Sequence, residues 1–377
     1  MNYKFVVCAV FTAIIFGFKY YIDPLVLNKN IPQPDYNKTS EKGFQLGRML
    51  FYDPILSGNN KMSCSTCHKQ EFAFTDTLRY NKGINGKTLK RNTMSLVNLA
   101  WNKNLFWDGR VHSIEEQIFF PITHPDEMAQ DLNTLVKELN SHNKYPELFK
   151  KAFGKNEIDT TQIKYALAQF IRSIVSMDSP MDRVFADPKM RVIDEHKSSG
   201  SADSDFDVMV NLFDKGLTSQ ELFVKNAMGK ANNKKVYSEK ALKAFVLCIQ
   251  CHDKNFMGDA TSMKNDGLEL KLKDVGLGAI TDNSLDSGLF KVPTLRNIFH
   301  TAPYMHDGRF KTMDEVLEHY NSGIQNHPNL DPLLKNNGKP IRLNLSKIEK
   351  EEIKEFLSLT TDDSLFNNKR YSNPFQN

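Results

Sequence analysis

The chain has 377 residues, enough at roughly 100 to 200 residues per domain for two domains with proper cores, which excludes a small scaffold held by staples. Hydrophobic residues make up 40% and charged residues 25%, a globular composition that excludes a disordered or collagen-like chain. A net charge of +4 is too small over this length to argue for a nucleic-acid partner.

The first element is an apolar run from Phe5 to Phe18, preceded by Lys4 and ended by Lys19. Its 14 residues fall short of the ~20 needed to span a bilayer and suit a secretory core, so residues 1–30 are expected to form a signal peptide on a periplasmic or otherwise exported protein. Lys19, Tyr20, Tyr21 and Ile22 offer no small-residue cleavage site, which leaves an uncleaved membrane anchor as the alternative. Cys8 is a weak lipidation candidate, lying so close to Lys4.

The other four of the five cysteines fall in two Cys-x-x-Cys-His pentapeptides, Cys64 to His68 and Cys248 to His252. This is the attachment signature of c-type haem: two thiols add to the porphyrin vinyl groups, and the adjacent histidine becomes the proximal iron ligand. A thioredoxin-like pair does not need the following histidine, and a closed zinc site needs further ligands that the sequence does not supply at suitable spacing. Two covalently bound haem c groups are therefore expected, one on Cys64, Cys67 and His68 and one on Cys248, Cys251 and His252.

The chain also repeats itself. Leu96, Asn98, Asp108, Gly109, Arg110 and Glu116 recur as Leu295, Asn297, Asp307, Gly308, Arg309 and Glu315, all at an offset of 199 residues. The pentapeptides are offset by only 184, so the second copy carries 15 extra residues before its Asp-Gly-Arg. The expected architecture is mainly α, with two cytochrome c-like haem domains in tandem over 31–186 and 236–377, joined by a polar linker or insertion over 187–235. Apolar spacing predicts a helix from Thr161 to Met177 that turns Ile163, Leu167, Phe170, Ile171 and Ile174 inward. A second helix, from Ser346 to Leu359, is expected to bury Ile348, Ile353, Phe356, Leu357 and Leu359 behind a Ser346/Glu349 capping box.

From about residue 35 to 362 the chain resembles the bacterial dihaem cytochrome c peroxidases, including their MauG-type methylamine-utilisation branch. In the first half the likeness is carried by Leu50-Phe51-Tyr52-Asp53-Pro54, Arg91-Asn92-Thr93, Phe106-Trp107-Asp108-Gly109-Arg110, and Gln117 followed by Glu127-Met128. In the second half it is carried by Val292 to Asn297 and Thr301 to Arg309. The resemblance implies that the first haem reacts with peroxide and the second passes electrons to it. Gln117 and Glu127 match the distal pair, ten residues apart. Splitting peroxide requires a proton taken from one oxygen and delivered to the other, which a carboxylate within hydrogen-bond reach can do; a solvated surface charge is the plain alternative for Glu127. Trp107 matches the tryptophan between the haems, a role compatible with packing as a core aromatic. Asn92, with the carbonyls of Thr301 and Pro303, matches a calcium site between the domains, where hard oxygen ligands suit Ca²⁺; a turn asparagine is the alternative.

The sixth ligand of the second haem is methionine in the common branch, whereas the matching residue here is Tyr320, as in MauG-type proteins. A phenolate favours ferric iron and should lower the potential. Met305 and His319 are its competitors; on a helix His319 points about 100° away from Tyr320, toward the surface or the ligand's surroundings. Many relatives also carry a distal histidine on the first haem. None of the ten histidines lies between His68 and His112, so the first haem is expected to be five-coordinate or water-bound. The expected activity is reduction of hydrogen peroxide with electrons from a small c-type cytochrome or a cupredoxin. A MauG-like oxidase acting on a protein side chain is the enzymatic alternative. A dihaem electron carrier is the non-enzymatic one, and it has no use for Gln117 with Glu127.

Overall fold

The structure, a computed structural model, describes residues 31–186, 237–252 and 262–376. The amino-terminal run, Cys8 and the polar stretch 187–235 lie outside the described residues. Among the described residues no helix is long and apolar enough to cross a membrane.

The architecture is mainly α, as expected, with two short antiparallel strand pairs among the described residues. Met263–Lys264 pairs with Phe290–Lys291, and Lys335–Asn336 with Lys339–Pro340. The first core is built on the Glu41–Tyr52 and Thr160–Arg172 helices, whose first turns are capped by the side chains of Ser40 and Asp159. Gly47 lets them approach, since a Cβ there would stand 1.9 Å from the Ala166 carbonyl oxygen. Phe44 and Phe51 pack on Phe170, with ring centroids 5.6 and 5.0 Å away, and the Leu132–Ser141 and Tyr145–Phe153 helices add Leu135, Leu139 and Phe149. The second core pairs the Glu239–His252 and Lys347–Ser358 helices, with Phe245 and Phe356 in contact, and takes Met313 and Leu317 from the Met313–Glu318 helix.

The inward stripe of the first predicted helix is buried as expected, although the helix stops at Arg172 and Ile174 is buried beyond its end. The capping box at Ser346 and Glu349 is present, but Ile348 is 73% exposed. It stands five residues before Ile353, about 140° around the helix, and so misses the buried stripe.

Packing crosses the boundaries expected from the sequence at both ends. Met181 joins the second core, and beside it Asp182 forms a buried bidentate pair with Arg296 at 2.6 and 2.7 Å. Leu365 and Tyr371 join the first core, where the Tyr52 hydroxyl donates to the Tyr371 carbonyl at 2.8 Å. Each unit thus carries a strap from the other's side of the chain.

The internal repeat is structural as well as sequential. Asn98 and Asn297 are both left-handed and fully buried, and they precede matching 3₁₀ turns, Leu99–Trp101 and Ile298–His300. Bridges Leu105 to Val111 and Tyr304 to Phe310 follow, then helices opened by Ser113 and Thr312.

Candidate functional site: two pentapeptide sites and the cavity between them

Cys64–Thr66 forms a 3₁₀ turn capped by Ser63, and His68 follows it. The His68 Nδ1–H donates to the Phe74 carbonyl at 2.9 Å, which leaves Nε2 as the atom free to bind iron. Burial lowers the His68 pKa and keeps the ring neutral, as a ligand must be. The Cys64 and Cys67 thiols are free, and burial pushes each up to about 12.

The Glu127 carboxylate lies within electrostatic reach of Cys67, acting on it after burial and Asp76. Burial raises the Glu127 pKa against the lowering effect of His124 and Arg110, so a freely solvated surface charge does not describe it. Gln117 closes the Ile114–Gln117 helix, and its side-chain amide has no hydrogen-bond partner among the described residues. The segment from Thr77 to Lys90 docks on the Glu127 loop. Ile84 N–H donates to the Glu127 carbonyl at 2.8 Å, Asn85 to the Pro125 carbonyl at 3.2 Å, and Lys87 pairs with Asp126 at 2.6 Å. Gly83 is required at the closest point, where a Cβ would stand 1.8 Å from the Asp126 carbonyl. The nearest histidines in sequence are held elsewhere: His112 Nδ1 bonds the Lys103 carbonyl and His124 Nδ1 accepts from the Asp126 N–H, both at exposed positions.

The second pentapeptide ends the Glu239–His252 helix, and His252 Nδ1–H donates to the Pro293 carbonyl at 2.8 Å. Burial again lowers the histidine pKa. Tyr320 lies in a π-helical turn, His319–Gly323, a local geometry that often marks functional positions. Its pKa is raised well above 10, first by burial and then by the charges of Asp266, Cys248 and Cys251, which lie within electrostatic reach of the phenol. Met305 instead lines the cavity between the domains. His319 is buried, not on the surface, and its Nε2–H donates to the Asp266 carbonyl at 2.9 Å. Asp266 is the residue that sequence reasoning missed. It acts on Tyr320, His252 and His306, yet it lies in the extra segment with no counterpart in the first copy to flag it.

Between the two sites lies a cavity of about 90 Å³, lined by Trp107, Asn92, Thr301, Pro303, Lys291 and Met305 among others. The Trp107 Nε1–H donates to the Asn92 carbonyl at 2.8 Å, and its ring meets His306 edge-on. The Asn92 amide nitrogen donates to the Leu78 carbonyl at 2.9 Å. Among the described residues no three His, Cys, Asp or Glu side chains converge on a metal-sized site, so a cation here would be held by amide and carbonyl oxygens. Arg91 clamps the halves, bidentate to Asp274 at 2.7 and 2.8 Å and bonded to Asp108 at 2.5 Å. The buried Trp101 Nε1 and Asn102 Oδ1, like both amide atoms of Gln162, have no hydrogen-bond partner among the described residues. Thiols outside any disulfide, next to histidines that burial keeps neutral and a backbone carbonyl orients through Nδ1, fit a c-type haem at each pentapeptide.

A duplicated helical scaffold with two such pentapeptide sites has the makings of a dihaem c-type oxidoreductase. The family described as di-haem cytochrome c peroxidase matches residues 41–189. The methylamine utilization protein MauG of Methylorubrum extorquens is 32% identical over 306 residues, 80% of this chain and 75% of that one. The cytochrome c551 peroxidase of Nitrosomonas europaea is 31% identical over 277 residues, 73% of this chain and 71% of its own. Among solved structures, a MauG-like protein associated with microbial copper homeostasis superposes with a TM-score of 0.70 at 29% identity, covering 92% of this chain and 96% of that one. The chain belongs to the dihaem cytochrome c peroxidase family. It carries two c-type haems and is a peroxidase-type oxidoreductase.

Proposed function

We propose that the protein works in the periplasm, reducing hydrogen peroxide with electrons from a small c-type cytochrome or a cupredoxin. In this reading His68 would hold the iron of the peroxide-reacting haem, and His252 together with Tyr320 would hold that of the electron-transferring haem. The bound haems supply the redox chemistry: two electrons and two protons convert one hydrogen peroxide into two waters. Glu127 takes a proton from one peroxide oxygen and returns it to the other, while the Gln117 amide orients the substrate by hydrogen bonding. Trp107 is the polarisable bridge between the domains, and Asn92 with the Thr301 and Pro303 carbonyls holds a calcium ion that braces the interface.

The observation that supports this reading is the Glu127 carboxyl, half-buried, raised in pKa by desolvation and within electrostatic reach of Cys67, with Gln117 matching the other half of the distal pair. A base works only when deprotonated, so turnover should fall as pH drops through the raised Glu127 pKa, above the ordinary carboxyl range. The test is peroxide-dependent oxidation of a reduced small cytochrome, followed across pH. An acid limb at the ordinary carboxyl value, or no turnover with either donor class, would overturn it. A specific observation also favours the second reading, a MauG-like oxidase: the partly buried Tyr320 phenol lies within electrostatic reach of Cys248 and Cys251. Peroxide-driven oxidation of an added protein substrate, without cytochrome turnover, would select that activity.

A further inference from the structure

The cavity between the domains sits on the relation that links the two copies. Asn92 and Lys291, Ser95 and Thr294, and Asn102 and Thr301 all line it, and each pair is separated by the repeat offset. Where one copy places a neutral amide, the other places an ammonium. Lys291 is 5% exposed and makes no ion pair or side-chain hydrogen bond among the described residues. Its backbone is fixed on both sides: its N–H donates to the Trp107 carbonyl at 2.8 Å, and it pairs in register with Met263. Strand alternation sends the neighbouring Phe290 ring to the opposite face, where it stacks on His306 at 3.8 Å. Burial pulls the Lys291 pKa down to about 8, and no carboxylate among the described residues offsets it.

A buried unpaired ammonium is costly, and this fold holds it rigidly in place. Two residues on, Pro293 anchors His252, and Thr75, next to the Phe74 that anchors His68, lines the same cavity. Residues at or next to both histidine anchors thus line this space, and a c-type haem held at either pentapeptide would carry carboxylates as its only anionic substituents. We propose that Lys291 Nζ is the counter-ion of a haem propionate that projects into the interdomain cavity. The inference rests on the two-haem reading and adds to it a fixed positive charge at one haem edge. That charge favours the ferrous state of the haem it touches.

The test uses the matured full-length holoprotein carrying Lys291→Met, which keeps the apolar stem and removes the charge. Haem content by mass checks the two-haem reading separately. With both haems present, the ferric-to-ferrous ratio of one haem at fixed ambient potential should rise about tenfold, a fall of about 59 mV for one electron. The haem whose bands move identifies which propionate is paired, and Lys291→Arg should hold the wild-type potentials. Unchanged potentials for both haems in Lys291→Met would overturn the proposal. If Lys291→Met matures with fewer than two haems, an intact Lys291→Arg supports it, and the same loss in Lys291→Arg overturns it in favour of packing alone.

Discussion

The two halves share a frame and differ in the residues that surround their pentapeptides. At an offset of 199 residues they repeat a buried left-handed asparagine, a 3₁₀ turn, a short bridge and a Ser- or Thr-capped helix. The proximal sides also agree, each with a neutral histidine held through Nδ1 by a backbone carbonyl. The opposite sides diverge. The first half presents the Glu127 carboxyl and a loop without imidazole, whereas the second presents a phenol in a π turn with Asp266 nearby. Duplication preserved the part that holds a haem, and specialisation is written in the loops, where backbone changes disturb the core least.

The largest effects test whether the halves are independent holders. Replacing Cys64 and Cys67 together by serine should remove one covalent haem and leave the other, so the mass should report one haem in place of two. Loss of both would mean that the second site cannot mature alone. Next, Glu127→Gln keeps the shape and removes the base, so peroxide turnover should fall roughly 10²- to 10⁴-fold with little change in the ferric spectrum. Because burial disfavours the charged carboxylate, this variant should be no less stable than wild type at neutral pH. A kinetic loss with intact folding separates chemistry from packing.

The strap between the halves gives the next effect. Burial alone would raise the Asp182 pKa, but Arg296 and Ser179 outweigh it and hold the carboxyl below 3.8. Asp182→Ala would strand a buried guanidinium and should cost about 3–5 kcal/mol, read as a lower melting temperature for the second domain. The pair's contribution is complete above the unfolded carboxyl pKa and is lost as pH falls through the depressed folded value. The wild-type and variant melting curves should therefore converge in acid.

The frame of this molecule was legible in its sequence because it is written in local, repeated chemistry. Both pentapeptides, the Asp-Gly-Arg repeats and the Ser346/Glu349 box declare themselves by spacing alone. What escaped depends on contacts distant in the chain. Asp266 carries no motif, and its importance arises only when its segment folds beside Tyr320 and His252. Lys291 reads as an ordinary charged strand residue until the fold places it, with its repeat counterpart Asn92, in the lining of one cavity. The exchange of straps, with Met181 in one core and Tyr371 in the other, leaves no trace in apolar periodicity, which reports burial without saying against what.

A smaller effect probes the second half. If Tyr320 is an axial ligand, Tyr320→Phe should raise that haem's potential and change its spin state, because an anionic donor is lost. The wild-type protein should also lack the near-infrared band of a methionine-bound haem. An unchanged spectrum and potential would return the position to Met305 or an open site, since His319 is committed to the Asp266 carbonyl.

The smallest expected effect is an absence of change, and it separates the halves most cleanly. An iron with a strong ligand on both faces cannot take up peroxide until one leaves, which makes prior reduction a condition of activity. In the first half the segment from Thr77 to Lys90 has no histidine, and Ile84, Asn85 and Lys87 pin it to the Glu127 loop. Its other end is tied across the interface, where Arg79 Nε donates to the Asp307 carbonyl at 2.9 Å. His112 and His124 are exposed and bonded elsewhere, so bringing either to the iron would break those contacts and undock the loop. The fully oxidised enzyme should therefore show one high-spin ferric signal from the first haem in electron paramagnetic resonance. It should also react with peroxide at the same rate whether or not one electron has been added beforehand. Two low-spin signals together with a reductive lag would mean that the first half closes its iron as the second does.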